Sequence, residues 1–167
     1  IIGKIGYFLP TVLLHAFFPE VINNDTLGKS SIPLLAFMLA VTLLICASYV
    51  LVVFFFKEFI ITLLFGKKYL LAGEYLTRIT IFMSIVGVIT VIFNFFLAKG
   101  IYYYLYVSMI VMIFGTISLF LVNMNSPNDV LNIFLYLSTF LLTATLFETF
   151  FRYRKHVFGW LLKRQFQ

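Results

Sequence analysis

Long stretches without a charged side chain set the limits on what this chain can fold into. Residues 30–56, 79–98, 100–128 and 130–147 contain no Asp, Glu, Lys or Arg. A helix that crosses the hydrocarbon of a bilayer needs about 20 consecutive, mainly apolar residues. The first two stretches meet that length outright. The last two are separated only by Asp129, and the run Asn123, Met124, Asn125, Ser126, Pro127, Asn128 between them carries the polar and proline signals of a turn. A buried helix in a soluble core is also free of charge, so composition has to decide the solvent. With 63% hydrophobic and 11% charged residues and a mean hydropathy of +1.09, the chain lies far from soluble domains, in which roughly a quarter of residues are charged. The expected fold class is all-α, a polytopic transmembrane helix bundle.

The N-terminal stretch 1–19 reads as a fifth, kinked span. Lys4, Pro10 and His15 interrupt it. A proline at position 10 has no N–H for the carbonyl of Gly6, a defect that membrane helices tolerate where a neighbouring helix satisfies the freed group. The five expected spans are 1–22, 32–57, 72–98, 101–123 and 129–153. Residues 59–66 are apolar but too short to cross, and are expected to lie along an interface. Residues 1–153 then form one helical bundle, and 154–167 a basic interfacial tail in which Arg154, Lys155, Lys163 and Arg164 mix with Trp160 and Leu161. The chain begins at Ile1 rather than at a methionine and reads as a piece of a longer polypeptide.

Orientation follows from lysine and arginine, which concentrate in cytoplasmic loops. Lys29, Lys99, Arg152, Arg154, Lys155, Lys163 and Arg164 fall on one side of a five-span arrangement, and Lys57, Lys67 and Lys68, partly offset by Glu58 and Glu74, on the other. The tail and Lys99 are therefore expected in the cytoplasm, with Lys67 and Asn125 outside. The net charge of +6 is a topological signal, and no nucleic-acid partner is expected. Cys46, the single cysteine, has no partner for a disulfide and reads as packing. His15 and His156 lie too far apart in the sequence for a ligand motif, no phosphate-binding glycine loop occurs, and neither a metal, a cofactor nor enzymatic chemistry is expected.

Two helical faces carry polar groups at membrane depth. In the third span Gly73, Thr77, Thr80, Ser84, Gly87, Val91, Asn94 and Ala98 follow steps of four and three. Such a stripe is either a seam where small residues let two backbones approach or the wall of a polar cavity. Lys4, Phe8, Thr11 and His15 share a face of the first helix by the same spacing. That face is either a bundle contact with Lys4 reaching to the interface, or a cavity face offering positive charge to an anionic substrate. The candidate cavity residues are Lys4, Thr11, His15, Thr80, Ser84 and Asn94. Glu74 and Arg78, four apart, are expected to pair at the membrane edge, and Glu148 and Arg152 to anchor the last helix.

Leu64, Phe65, Gly66, Lys67, Lys68 and Tyr69, followed by Ala72 and Leu76, resemble the "fG..Y..A...L" pattern between two helices of the polysaccharide-transporter branch of the multidrug/oligosaccharidyl-lipid/polysaccharide exporter superfamily. Phe96, Leu97, Ala98, Lys99 and Gly100 are similar to the "yL.a.G" turn that ends the next helix there, and Phe18 with Pro19 to the "fP" that ends an earlier one. The resemblance covers about residues 8–101. It implies a two-lobed transporter of the bacterial cytoplasmic membrane, of which this chain is part of the second lobe, with the N-terminal lobe of the same polypeptide as partner. The implied substrate is an undecaprenyl-pyrophosphate-linked oligosaccharide or a teichoic-type precursor, flipped between leaflets by alternating access, with membrane lipids as surroundings. A drug/cation antiporter of the same superfamily and a structural membrane subunit are the alternatives. The antiporter would want an acidic residue inside a span, whereas Glu20, Glu74 and Glu148 lie near span ends.

Overall fold

The computed structural model describes residues 2–27, 30–121 and 126–165, with side chains described through Phe151 apart from Asp25 and Leu121. A 3-10 turn, Ile2–Lys4, leads into α1, Ile5–Thr26. Helix α2 is Ile32–Phe65. A second 3-10 turn, Lys67–Ala72, precedes α3, Gly73–Ala98, which is followed by α4, Tyr103–Leu121, and α5, Pro127–Gln165. No strand occurs among the described residues. All five helices are long and apolar enough to cross a membrane, so the protein is an all-α, multi-pass membrane bundle.

Helix α3 is the hub, with α1, α2 and α5 packed around it and α4 held mainly by α5. Its sequence suits that place. Thr80, Ser84, Gly87, Val88, Val91, Ile92, Phe95 and Phe96 are all buried, so small and polar positions are followed by a bulky apolar end. Gly3 faces Ile79, and Gly87 faces Pro10, so α1 and α3 run parallel. Gly73 meets Ile61, which makes α2 antiparallel to them. Helix α5 runs parallel to α3, with Arg78 beside Asn132 and Phe82 beside Phe134. Lys4, Gly66 and Pro127 thus mark one end of the bundle, the near end here, and Thr26 and Lys99 the far end.

The core lies toward the far end, where Leu14, Leu35, Met38, Val88, Val91, Ile92 and Phe95 cluster. Tyr104 of α4 stacks on Phe96 at 4.1 Å between ring centroids. The outer faces are apolar as well: Phe37, Leu44, Leu51 and Phe55 on α2 and Met112, Ile113 and Phe120 on α4 are exposed. Such surface would be untenable in water and is ordinary against lipid tails.

The turns explain the glycines of both motifs. Gly66 and Gly100 are the positive-φ residues among those described, at 86° and 68°. Gly100 closes α3 as a Schellman cap: its N–H donates to the carbonyl of Leu97 at 3.0 Å, and that of Ile101 to Phe96 at 2.9 Å. Helix α5 opens on a capping box. The Ser126 N–H donates to the Asp129 carboxylate and the Asn128 N–H to the Ser126 hydroxyl, each at 3.0 Å, with Pro127 in the first turn.

Several expected boundaries shift. Helix α1 continues to Thr26, through both prolines. Helix α2 does not stop at Lys57. Residues 59–65 extend the same 34-residue helix, roughly 50 Å long at 1.5 Å per residue, rather than forming a separate interfacial segment. The basic tail is likewise a continuation of α5 to Gln165. Asn125, Lys29 and most of the expected turn before Ser126 lie outside the described residues, and so do the side chains of Arg152 and the tail.

Candidate functional site

The α3 stripe is the floor of a close helix contact. A Cβ on Gly6 would lie 2.6 Å from the Ser84 hydroxyl and 3.3 Å from the Thr80 carbonyl, and one on Gly87 would lie 2.8 Å from Pro10 Cγ and 3.1 Å from the Gly6 carbonyl. Gly3, Gly6 and Pro10 on α1 thus interlock with Ile79, Thr80, Ser84 and Gly87 on α3, the small-residue seam by which membrane helices associate. Thr80 is 0% and Ser84 5% exposed.

Cys46 joins this seam from α2. Its thiol approaches the Gly6 carbonyl at 3.8 Å and the Ser84 carbonyl at 3.9 Å. The Gly6 carbonyl is the one that Pro10 leaves without a backbone donor. Cysteine supplies a weak donor in the small volume the seam allows, so Cys46 does more than fill space.

Lys4, Thr11 and His15 occupy another face of α1, about a third of a turn from Gly6 and Pro10 at 3.6 residues per turn. Lys4 and His15 are exposed and Thr11 is half-buried. The structure therefore brings Thr80 and Ser84 together with α1's small residues but not with its polar face. Because Gly3 is level with Ile79, Lys4 sits level with the start of α3's charge-free run, at the near edge of the hydrocarbon. His15, eleven residues on, lies about 16 Å deeper, near mid-span.

Hydrogen bonding fixes what these groups can offer. Thr80 donates to Leu76, Thr11 to Phe8 and the Asn94 amide to Thr90, so their protons go to their own helix. His15 Nδ1 lies 2.8 Å from the Thr11 carbonyl. A carbonyl only accepts, so Nδ1 carries the proton, leaving Nε2 as an outward acceptor. Pro19, four residues on, has no N–H to return to the His15 carbonyl, which lacks its ordinary helical partner. This turn of α1 thus concentrates unsatisfied polarity at membrane depth. Among the described residues, no three His, Cys, Asp or Glu side chains cluster as metal ligands would.

Arg78 does not pair with Glu74. It donates to the Asn132 side chain on α5 at 3.0 Å. Each of the two lies five residues into its helix, and two parallel helices put them at one depth. That equal offset is visible in the sequence, although which helices are neighbours is not.

Among the described residues, two grooves run beside α3. One of about 410 Å³ runs between α2 and α5 over Cys46, Ala47, Ser84, Ile85 and Leu142. The other, about 440 Å³ at the near end, is walled by Lys4, Leu76, Ile79, Phe82, Leu131 and Phe134. Ser84 and Lys4 each border one of them.

No protein-family model, no curated protein and no solved structure matches this chain.

Proposed function

We propose that this membrane protein is part of a flippase that moves lipid-linked oligosaccharide or polysaccharide precursors across the bacterial cytoplasmic membrane by alternating access. The observation that carries the reading is the exposed face of α1. The exposed hydroxyls on the outer faces of α2 and α4, Ser48 and Thr116, are bonded to their own helices, whereas this face, beside the exposed Phe8, sets Lys4 at the hydrocarbon edge and Nε2 of His15 near mid-span. A polar group facing lipid is costly at mid-span, so the turn of α1 that bears His15 borders protein or a water-filled cavity. In the two-lobed arrangement implied by the motif resemblance, it faces the first lobe. Positive charge there suits a pyrophosphate, and the undecaprenyl chain stays in the bilayer through a lateral opening.

The test is genetic. Deleting the complete coding sequence from its own host is expected to trap lipid-linked glycan in the cytoplasmic leaflet. An unchanged leaflet distribution would sink the proposal, and a loss of drug tolerance instead would favour the antiporter. A structural subunit is the second reading, and one observation favours it: Thr80, Ser84 and Gly87 of the α3 stripe pack closely against α1, as a scaffold requires. The α1 face is not so packed, and this keeps the transport reading ahead.

The orientation belongs to the same proposal, with the far end in the cytoplasm. Single cysteines placed at positions 67 and 99 in a Cys46→Ala background are expected to label from the outside and the inside respectively with an impermeant maleimide. The reverse pattern would invert the topology.

A further inference from the structure

The near-end groove between α1, α3 and α5 has the build of a lipid site rather than of a helix contact. Its walls include Leu76, Ile79, Phe82, Met83, Leu131 and Phe134, and among the described residues Lys4 is the one charged side chain that lines it. The rings of Phe82 and Phe134, 5.7 Å apart, hold the α3 and α5 sides together. About 440 Å³ falls within the usual range of small-ligand sites. A helix about 10 Å across with a 5.4 Å pitch would find room for barely one turn there, whereas an acyl chain can lie along it. Depth supplies the polar end. Lys4 is level with Ile79, and its four-carbon stem carries the ammonium outward to where phosphates lie. Arg78, the other cation of this layer, is engaged with Asn132.

We infer that this groove holds one anionic phospholipid, its phosphate against Lys4 and one acyl chain along Ile79, Phe82, Met83 and Phe134. The occupant is membrane lipid. Charge complementarity selects an anionic headgroup over a zwitterionic one, and the site stands whether or not the chain transports glycans. It would clamp α1 to α5 across a gap that neither helix closes by itself.

Photo-crosslinking of the full-length protein tests the inference. Benzoylphenylalanine at Phe134, in nanodiscs of equal parts phosphatidylglycerol and phosphatidylcholine, is expected to capture phosphatidylglycerol in about fivefold excess, the preference that one lysine near the headgroups provides. Lys4→Gln is expected to bring the ratio to parity. Lys4→Arg, which keeps the charge, and Lys68→Gln, which alters a cation outside the groove, are expected to preserve the excess. Parity in the parent protein would overturn the assignment, as would an excess that survives Lys4→Gln. Capture of another segment of the polypeptide in place of lipid would also overturn it and make the occupant protein.

Discussion

Gly87→Ala is expected to destabilise the bundle by about 1–3 kcal/mol, the usual cost of forcing one extra carbon into a filled contact, and Gly87→Leu to separate α1 from α3. The new Cβ would meet Pro10 Cγ at 2.8 Å and the Gly6 carbonyl at 3.1 Å. Neither can swing aside, because one belongs to a closed ring and the other to the backbone. Gly6→Ala is expected to cost less, since its nearest obstacle at 2.6 Å is the Ser84 hydroxyl, which can rotate. Gly100 offers the control. A Cβ there would meet nothing within 4 Å, but its φ is 68°, so alanine there costs about 1 kcal/mol through conformation alone. Asparagine, which tolerates that region, should recover part of the loss. The midpoint of SDS-induced unfolding of the purified protein measures these variants and Gly87→Asn. Parent-like stability of both Gly87→Ala and Gly87→Leu would mean that the seam does not exist, and rescue by asparagine at position 87 would mean that space is not what glycine provides there.

The spans were legible because a bilayer imposes one requirement, a length of uncharged sequence, and the chain meets it almost everywhere. Their ends were less legible, since a charge ends a span without ending a helix. At Lys57 the backbone ladder continues, and Lys57 is only half-exposed with its stem 3.9 Å from where a Cβ on Gly73 would lie. The apolar part of the side chain thus packs within the bundle and the amine is free to reach the headgroups. The basic tail follows the same logic, continuing α5 to Gln165. Pro10 shows what sequence can and cannot supply. That Gly6 would need a substitute donor followed from chemistry, but that Cys46 of α2 provides it depends on three helices meeting, which no spacing rule encodes.

The candidate site was legible as faces and not as partners. Step-of-three-and-four spacing placed Thr80 and Ser84 on one stripe and Lys4 and His15 on one face. Whether a stripe of small and polar residues is a seam or a wall depends on what lies opposite. Opposite Thr80 and Ser84 lies Gly6, and opposite Gly87 lies Pro10, so this part of the α3 stripe packs. Spacing alone pairs Arg78 with Glu74. The competing acceptor, Asn132, belongs to a helix 54 residues away in the chain.

His15→Ala in the full-length protein is the variant that separates a cavity from a lipid anchor, and it is expected to lower glycan export about tenfold. That figure corresponds to losing one hydrogen bond from a neutral donor such as a sugar hydroxyl, worth at most about 1.5 kcal/mol. His15 lines neither groove and lies about 16 Å along the helix from Lys4, so the phosphatidylglycerol preference at Phe134 should not change. Lys4→Ala should lower export as well, but it also removes the cation of the lipid groove, and alone it cannot tell the two roles apart. Lys4→Arg keeps the charge while changing the geometry, and is expected to retain most of the export. Because His15 accepts through Nε2 with Nδ1 committed to Thr11, His15→Gln, which can place an acceptor outward, should export better than His15→Ala. If His15→Ala exports glycan at the parent rate while inserted at the parent level, the α1 face is not a cavity wall. Lys4 would then keep only its place at the mouth of the lipid groove, and the exposed polar turn around His15 would be a contact with another helix.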